Sequence, residues 1–325
     1  MAEIIMDTIT ANYLHVQRLS TEDGPGIRTT VFLKGCSLHC AWCHNPESIS
    51  IKPHLQWLER LCIGCQTCVL SCPNESLRME NGKLRIDRIR CRTCGVCVNA
   101  CPANALELLG RKITVEEMMQ ELMKDHSFFT QSGGGVTLSG GEPALQPEFS
   151  AALFRELKEK GIHTALDTCG NVEKENLAMI VSFTDLVLYD VKIMDSQEHA
   201  RFTGVGNERI LENLIWLVAL LEQKYPEVKL WIRTPLIPGA SASKQNIQSI
   251  AKFLNERIGN KIERWELCAF NNLCRDKYDR LNLHWDYADK PLMSSEELLE
   301  CEQWAKEVYA QPNTVFINGA ARSDQ

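Results

Sequence analysis

One four-cysteine spacing is written twice in this chain. Cys62, Cys65, Cys68 and Cys72 form C-x2-C-x2-C-x3-C followed by Pro73; Cys91, Cys94, Cys97 and Cys101 repeat it, followed by Pro102. So many thiols in so short a stretch leave little apolar side chain for a core, and a segment that small is ordinarily held by cross-links or metal. The chain has 15 cysteines in 325 residues, an odd number, so complete internal disulfide pairing is impossible. Eleven of the 15 fall between Cys36 and Cys101; Cys169, Cys268, Cys274 and Cys301 lie outside. Clustering of this kind reads as metal ligation before stapling.

The repeated run is the bacterial iron–sulfur spacing, in which the fourth cysteine ligates the other cluster of a pair. It predicts one [4Fe-4S] cluster on Cys62, Cys65, Cys68 and Cys101 and a second on Cys91, Cys94, Cys97 and Cys72. Structural zinc also uses C-x2-C pairs, but two copies of the whole run argue against it. A third set differs. Cys36, Cys40 and Cys43 stand in GCSLHCAWCHNP as C-x3-C-x2-C, with no fourth cysteine nearby. Three thiolates on a cubane leave one iron open, as a reactive metal site requires. Zinc completed by His39 or His44, or unrelated thiols, are the other readings.

Around the cysteine block the texture is α/β. Ile27–Leu33 is a β-branched run, and strands are expected at 135–139, 163–167, 186–190, 229–234 and 265–270, with a weaker one at 314–317. Helical patterns alternate with them at 147–160, 173–182, 209–224, 244–258 and 294–310, which argues for a parallel sheet covered by helices. The expected organisation is one α/β domain, residues 1–50 and 110–325, with a cysteine-rich insert at 51–109 after its first strand. Net charge is −7, so no nucleic-acid surface is expected. The longest apolar run, Leu214–Leu221, is far shorter than the roughly 20 residues of a membrane span, so no membrane partner is expected. No signal peptide is visible, and a reducing cytoplasm is the expected compartment.

The third cysteine set resembles the radical S-adenosylmethionine (SAM) signature. The surrounding residues resemble one branch, the glycyl radical enzyme activating enzymes, to which pyruvate formate-lyase activating enzyme belongs. The likeness includes Asp23-Gly24-Pro25-Gly26-Ile27-Arg28-Thr29, Cys43-His44-Asn45-Pro46, Gly140-Gly141-Glu142-Pro143, Asp167-Thr168, Asp190-Val191-Lys192 and Arg233 with Pro238-Gly239. A two-cluster insert is similar to that of the larger members; pyruvate formate-lyase's own activator lacks it. The resemblance implies a partial (β/α)6 TIM-like barrel with a ferredoxin-like insert. It implies a SAM-binding [4Fe-4S] cluster on Cys36, Cys40 and Cys43, reductive cleavage of SAM to a 5′-deoxyadenosyl radical, and removal of a glycine Cα hydrogen from a partner glycyl radical enzyme. Iron–sulfur chemistry of this kind implies an anaerobic setting.

The resemblance also implies residue roles. Gly140-Gly141-Glu142 would address the SAM amino group, where an ordinary strand-to-helix turn is the bland alternative. Asp190, Val191, Lys192 and Arg233 would address its other polar groups, and Trp42, Cys43 and His44 would lie along the adenine. Asp167, Thr168, Asp190 and the Leu188 carbonyl would hold a monovalent cation (Na+ or K+), unless the carboxylates cap turns. Phe270-Asn271 stands where similar activators have an aromatic–His pair, and Asn271 can hydrogen-bond a ribose or ring nitrogen but cannot titrate. Asp23, Gly24, Pro25 and Gly26 would border the groove for the glycine-bearing peptide. Arg85, Arg88, Arg90 and Arg92 would dock a flavodoxin or ferredoxin as electron donor, or form a solvated face. Two other functions fit parts of the chain: a radical SAM enzyme acting on a small molecule, and an iron–sulfur electron carrier.

Overall fold

The computed structural model describes residues 9–322. Thirteen strands are present among them: β1 (Thr10–Ser20), β2 (Arg28–Leu33), β3 (His54–Trp57), β4 (Leu77–Glu80), β5 (Lys83–Ile86), β6 (Leu106–Leu109), β7 (Arg111–Thr114), β8 (Gly135–Gly140), β9 (His163–Thr168), β10 (Leu186–Asp190), β11 (Lys229–Leu236), β12 (Ile262–Ala269) and β13 (Val315–Asn318). Nine form one sheet in the order β13-β12-β11-β10-β9-β8-β2-β1-β7. The seven from β13 to β2 are parallel, and β1 and β7 close that edge as antiparallel strands.

The β-branched run that predicts β2 is buried along its whole length, as a parallel strand covered on both faces must be. Helix Pro147–Glu159 starts on a proline, which costs nothing where no intrahelical partner exists, and buries Phe149, Leu153, Phe154 and Leu157 against the sheet. Helix Ser295–Lys306 begins with a capping box between Ser294 and Glu297. The expected helix at 244–258 is α-helical only to Phe253 and ends as a π-turn, Leu254–Ile258. Two large cores fill the space between sheet and helices. A small core of Ala165, Leu186, Leu188 and Trp231 lies on the other face of the sheet.

The strand at Arg28–Leu33 is not the first. β1 precedes it and pairs with it antiparallel, so the cysteine block enters after the second strand. That block has its own small sheets, β3 with β6 and β4 with β5, and its own core of Leu55, Leu77, Leu84, Cys97 and Leu106. Its internal repeat extends to the backbone. Gly64 and Thr93, Gln66 and Gly95, and Glu75 and Asn104 occupy equivalent positions in the two runs, and all six have positive φ. A short helix follows in each run, Thr67–Leu70 and Val96–Asn99.

Candidate active site

The parallel strands deliver the site by register. Side chains alternate faces along a strand, so Asp167, Asp190, Arg233, Glu266 and Cys268 share the face that carries Ala165, Leu186, Leu188 and Trp231. Asp190 pairs with Arg233 and Arg233 with Glu266 in the ladder, which sets these three side by side. At the C-terminal ends of the strands Asp167, Asp190, Arg233 and Cys268 border a cavity of about 280 Å³, with Glu266 behind Arg233.

Cys36, Cys40 and Cys43, on the loop after β2, all line that cavity, as do Trp42 and His44. The loop is fixed from both sides. Gly35 N–H donates to the Ser48 carbonyl (2.7 Å), Cys36 N–H to the Ile49 carbonyl (2.9 Å), and the Gly35 carbonyl accepts from Glu142 N–H (2.7 Å). A Cβ on Gly141 would meet the Gly35 oxygen at 2.0 Å, so only glycine lets the β8 turn approach this closely. From the other side, Tyr278 Oη donates to the Cys43 carbonyl (2.9 Å) and Trp285 Nε1 to the Ala41 carbonyl (3.0 Å). Lys277 reaches the His44 carbonyl (3.0 Å), Asn45 Oδ1 (2.7 Å) and Glu47 (2.9 Å). Burial pushes the Cys40 thiol up to about 12 and lifts that of Cys43 as well, so both stay protonated until a cation takes the proton's place.

The charged wall is internally paired. Lys192 forms an ion pair with Asp190. Arg233 lies 3.3 Å from Glu266, 3.7 Å from Asp167 and 4.0 Å from Asp23, and donates to the Glu22 carbonyl (3.0 Å). Its Nε is within ion-pair reach of Glu266 yet makes no aligned hydrogen bond. Ser139 donates to Asp167 at 2.5 Å. Burial raises the Asp167 carboxyl to about 7 against the pull of Arg233.

Gly140, Gly141, Asp167, Thr168, Asp190, Lys192 and Arg233 therefore border the cavity with the three cysteines. Four expected residues do not. Glu142 is fully buried, and its carboxylate accepts from Thr168 Oγ1 (2.9 Å), Cys169 N–H (2.8 Å) and Ala144 N–H (3.0 Å). Val191 and Leu188 are buried, the former held by Arg233 and Thr234. Asn271 acts through its carbonyl, 3.0 Å from His44 Nε2. Asp23 is tied to the sheet by Ser20 (2.7 Å) and Thr30 (2.6 Å), and Pro25 by Arg28 (3.2 Å). Gly26 packs so closely that a Cβ would sit 2.5 Å from Gly134 N. Lys277, Tyr278 and Trp285 escape the sequence reading; the signal was an aromatic group inside a charged stretch. Cys169 and Cys268 also line the cavity, and Cys274 contacts the Cys43 carbonyl.

In the cysteine block, Cys62, Cys65, Cys68 and Cys101 surround one space, and Cys72, Cys91, Cys94 and Cys97 another. Ala105 N–H points at Cys101 Sγ (3.2 Å) and Ser76 N–H at Cys72 Sγ (3.4 Å), again at equivalent positions. None of the 15 cysteines is paired in a disulfide. Among the described residues, no three His, Cys, Asp or Glu side chains close on one point as ligands of a single ion. Of the four arginines expected to dock a donor, Arg85 faces Glu80, Arg90 faces Asp87, and Arg88 turns inward to the Leu281 and Leu55 carbonyls. No helix among the described residues is long and apolar enough to cross a membrane.

Comparison with known proteins places this geometry in a family. Residues 30–254 match the model of the radical SAM superfamily. The chain is 41% identical over 274 residues to the (2S)-3-sulfopropanediol dehydratase activating enzyme of Klebsiella oxytoca, covering 83% of this chain and 84% of that protein. It is 36% identical over 291 residues to the trans-4-hydroxy-L-proline dehydratase activating enzyme of Clostridioides difficile, covering 89% and 94%. A crystal structure of a domain of pyruvate-formate lyase-activating enzyme from Bacteroides vulgatus is 30% identical, with a TM-score of 0.45, covering 57% of this chain and 99% of that one. The chain belongs to the radical SAM superfamily and, within it, to the glycyl radical enzyme activating enzymes.

Proposed function

We propose that this chain cleaves SAM with one electron and installs a glycyl radical in a separate partner enzyme. The observation that carries the reading is the single cavity shared by Cys36, Cys40, Cys43 and the charged ends of β9, β10 and β11. The three thiols fit a [4Fe-4S] cluster: they converge on one wall, their loop is clamped from both sides, and no fourth ligand from the loop is present. That cluster, when bound, supplies one electron and an open iron position to the methionyl end of SAM.

The chain's own residues do the rest. The Gly140-Gly141 turn brings backbone rather than side chain to the cavity wall, leaving room for a ligand's polar end. Lys192 and Arg233 face a ligand carboxylate or ribose, and Asp167 and Asp190 face an ammonium. Trp42 and Phe270 offer apolar surface to a ring. Cleavage gives methionine and a 5′-deoxyadenosyl radical; transfer of one glycine Cα hydrogen gives 5′-deoxyadenosine and the glycyl radical, so one electron is used per event. The Asp23–Gly26 loop, adjoining Arg233, would border the path of the glycine-bearing peptide. A monovalent cation (Na+ or K+) would be held by Asp167, Thr168, Asp190 and the Leu188 carbonyl, with Lys192, Arg233 and the Ser139 hydroxyl facing the same carboxylates.

In this reading residues 51–109 are a ferredoxin-like insert carrying two further [4Fe-4S] clusters, one in each four-cysteine space. The grouping of Cys62, Cys65, Cys68 and Cys101 about one space and Cys72, Cys91, Cys94 and Cys97 about another supports this reading. A flavodoxin or ferredoxin would supply the electron. The two relatives above carry different partners' names, so partner choice would reside in surface outside the shared site. The test is anaerobic incubation of reduced, reconstituted protein with SAM. 5′-Deoxyadenosine and methionine are expected in equal amounts, and their absence would remove the radical reading.

A further inference from the structure

The two cysteine spaces are not equivalent in position. β3 and β6 run side by side, with His54 opposite Leu109, Leu55 opposite Leu108 and Trp57 opposite Leu106. The His54 end meets the main body, its Nδ1 3.2 Å from Lys34 Nζ at the end of β2. Leu55 and Leu108 line the space of Cys72, Cys91, Cys94 and Cys97, whereas Trp57 and Leu106 line that of Cys62, Cys65, Cys68 and Cys101. Two residues along an antiparallel strand are about 7 Å, so the second set stands nearer the body and the first set farther out.

The nearer set also has a direct bridge. Arg88, three residues before Cys91, donates from Nε to the Leu281 carbonyl and from a terminal nitrogen to the Leu55 carbonyl, both at 3.2 Å. Leu281 ends helix Arg275–Leu281, and Tyr278 of that helix holds the Cys43 carbonyl at 2.9 Å while stacking on Trp285 at 4.9 Å. Among the described residues, no hydrogen bond makes such a route from the farther set. Trp57, which lines it, faces the same helix across an open cleft of about 620 Å³.

We infer that Cys72, Cys91, Cys94 and Cys97 form the set coupled to the reaction cavity, with Arg88 and Tyr278 as the positioning residues that join them, while Cys62, Cys65, Cys68 and Cys101 form the outer set. This rests on the three-cluster reading above. A bonded route toward the cavity loop runs through Cys91, Arg88, the Leu281 carbonyl, Tyr278 and the Cys43 carbonyl.

The test is microwave power saturation of the electron paramagnetic resonance signal of the SAM-bound centre, in reduced full-length protein. Neighbouring paramagnets hasten its relaxation. Cys94→Ala should remove that enhancement and Cys65→Ala should leave it. Enhancement lost in Cys65→Ala instead, or unchanged in both, overturns the ordering. Arg88→Gln keeps every cysteine; it should weaken the enhancement with iron content unchanged and slow reduction by a flavodoxin several-fold, but not by titanium(III) citrate. Unchanged enhancement in Arg88→Gln removes the bridge. Wild-type iron near four per chain rather than about 12 would defeat the three-cluster reading itself, and is measured separately.

Discussion

At Gly141 and Glu142 two adjacent residues do opposite things. Gly141 is needed for what it lacks, since a Cβ would lie 2.0 Å from the Gly35 oxygen, one residue before Cys36. Gly141→Ala should therefore displace the cysteine loop, and SAM affinity by equilibrium dialysis should fall with the melting temperature. Glu142 is needed for what it accepts: three separate donors converge on its buried carboxylate. Glu142→Gln places an N–H among those donors, and a buried mismatch of this kind costs about 1–3 kcal/mol. The expected result is that loss in denaturant unfolding.

At the scale of elements, helix Arg275–Leu281 is the one that the cavity loop leans on. Tyr278→Phe keeps the stack on Trp285 and removes one hydrogen bond, so it should cost about 1 kcal/mol of stability by urea unfolding and loosen the cluster loop, measured as faster iron loss to a chelator. This helix was not legible in the sequence. Its sequence RDKYDRL is short and mostly charged, and its two buried residues, Tyr278 and Leu281, make no pattern long enough to register a period. β1 was missed because polar Asn12, His15 and Gln17 interrupt its apolar positions, and its pairing with β2 is irregular. The parallel strands were legible, because strands buried on both faces are runs of apolar and β-branched residues. The cysteine sets were legible for another reason: their grouping is written as local spacing. Which neighbour of Gly141 faces the cavity depends on the turn's direction, and that is fixed by packing on Gly35.

The whole molecule joins a mostly parallel sheet to a cysteine-rich appendage, and its stability should respond to pH through histidines buried beside cations. Burial lowers His54, near Lys34 and Arg88, to about 4, and His163, near Arg28, likewise to about 4. Both titrate near 6.5 in an unfolded chain, which therefore binds more protons below that pH. Stability present above 6.5 should be lost as pH falls from there toward 4. The Asp167 carboxyl, raised to about 7, works in the opposite direction, so the histidine contribution is read by difference: between pH 7 and 5 the melting temperature of cluster-free wild type should fall more, or rise less, than that of His163→Asn, and identical profiles would contradict this.

The central claim is transfer of a radical to another protein, and the direct measurement is electron paramagnetic resonance of the reduced, SAM-loaded chain mixed with a candidate glycyl radical enzyme. A doublet from the remaining glycine Cα hydrogen, one 5′-deoxyadenosine per radical, and loss of both in Cys40→Ala are expected. Steady 5′-deoxyadenosine formation with no doublet in any glycyl radical enzyme tried would contradict radical transfer.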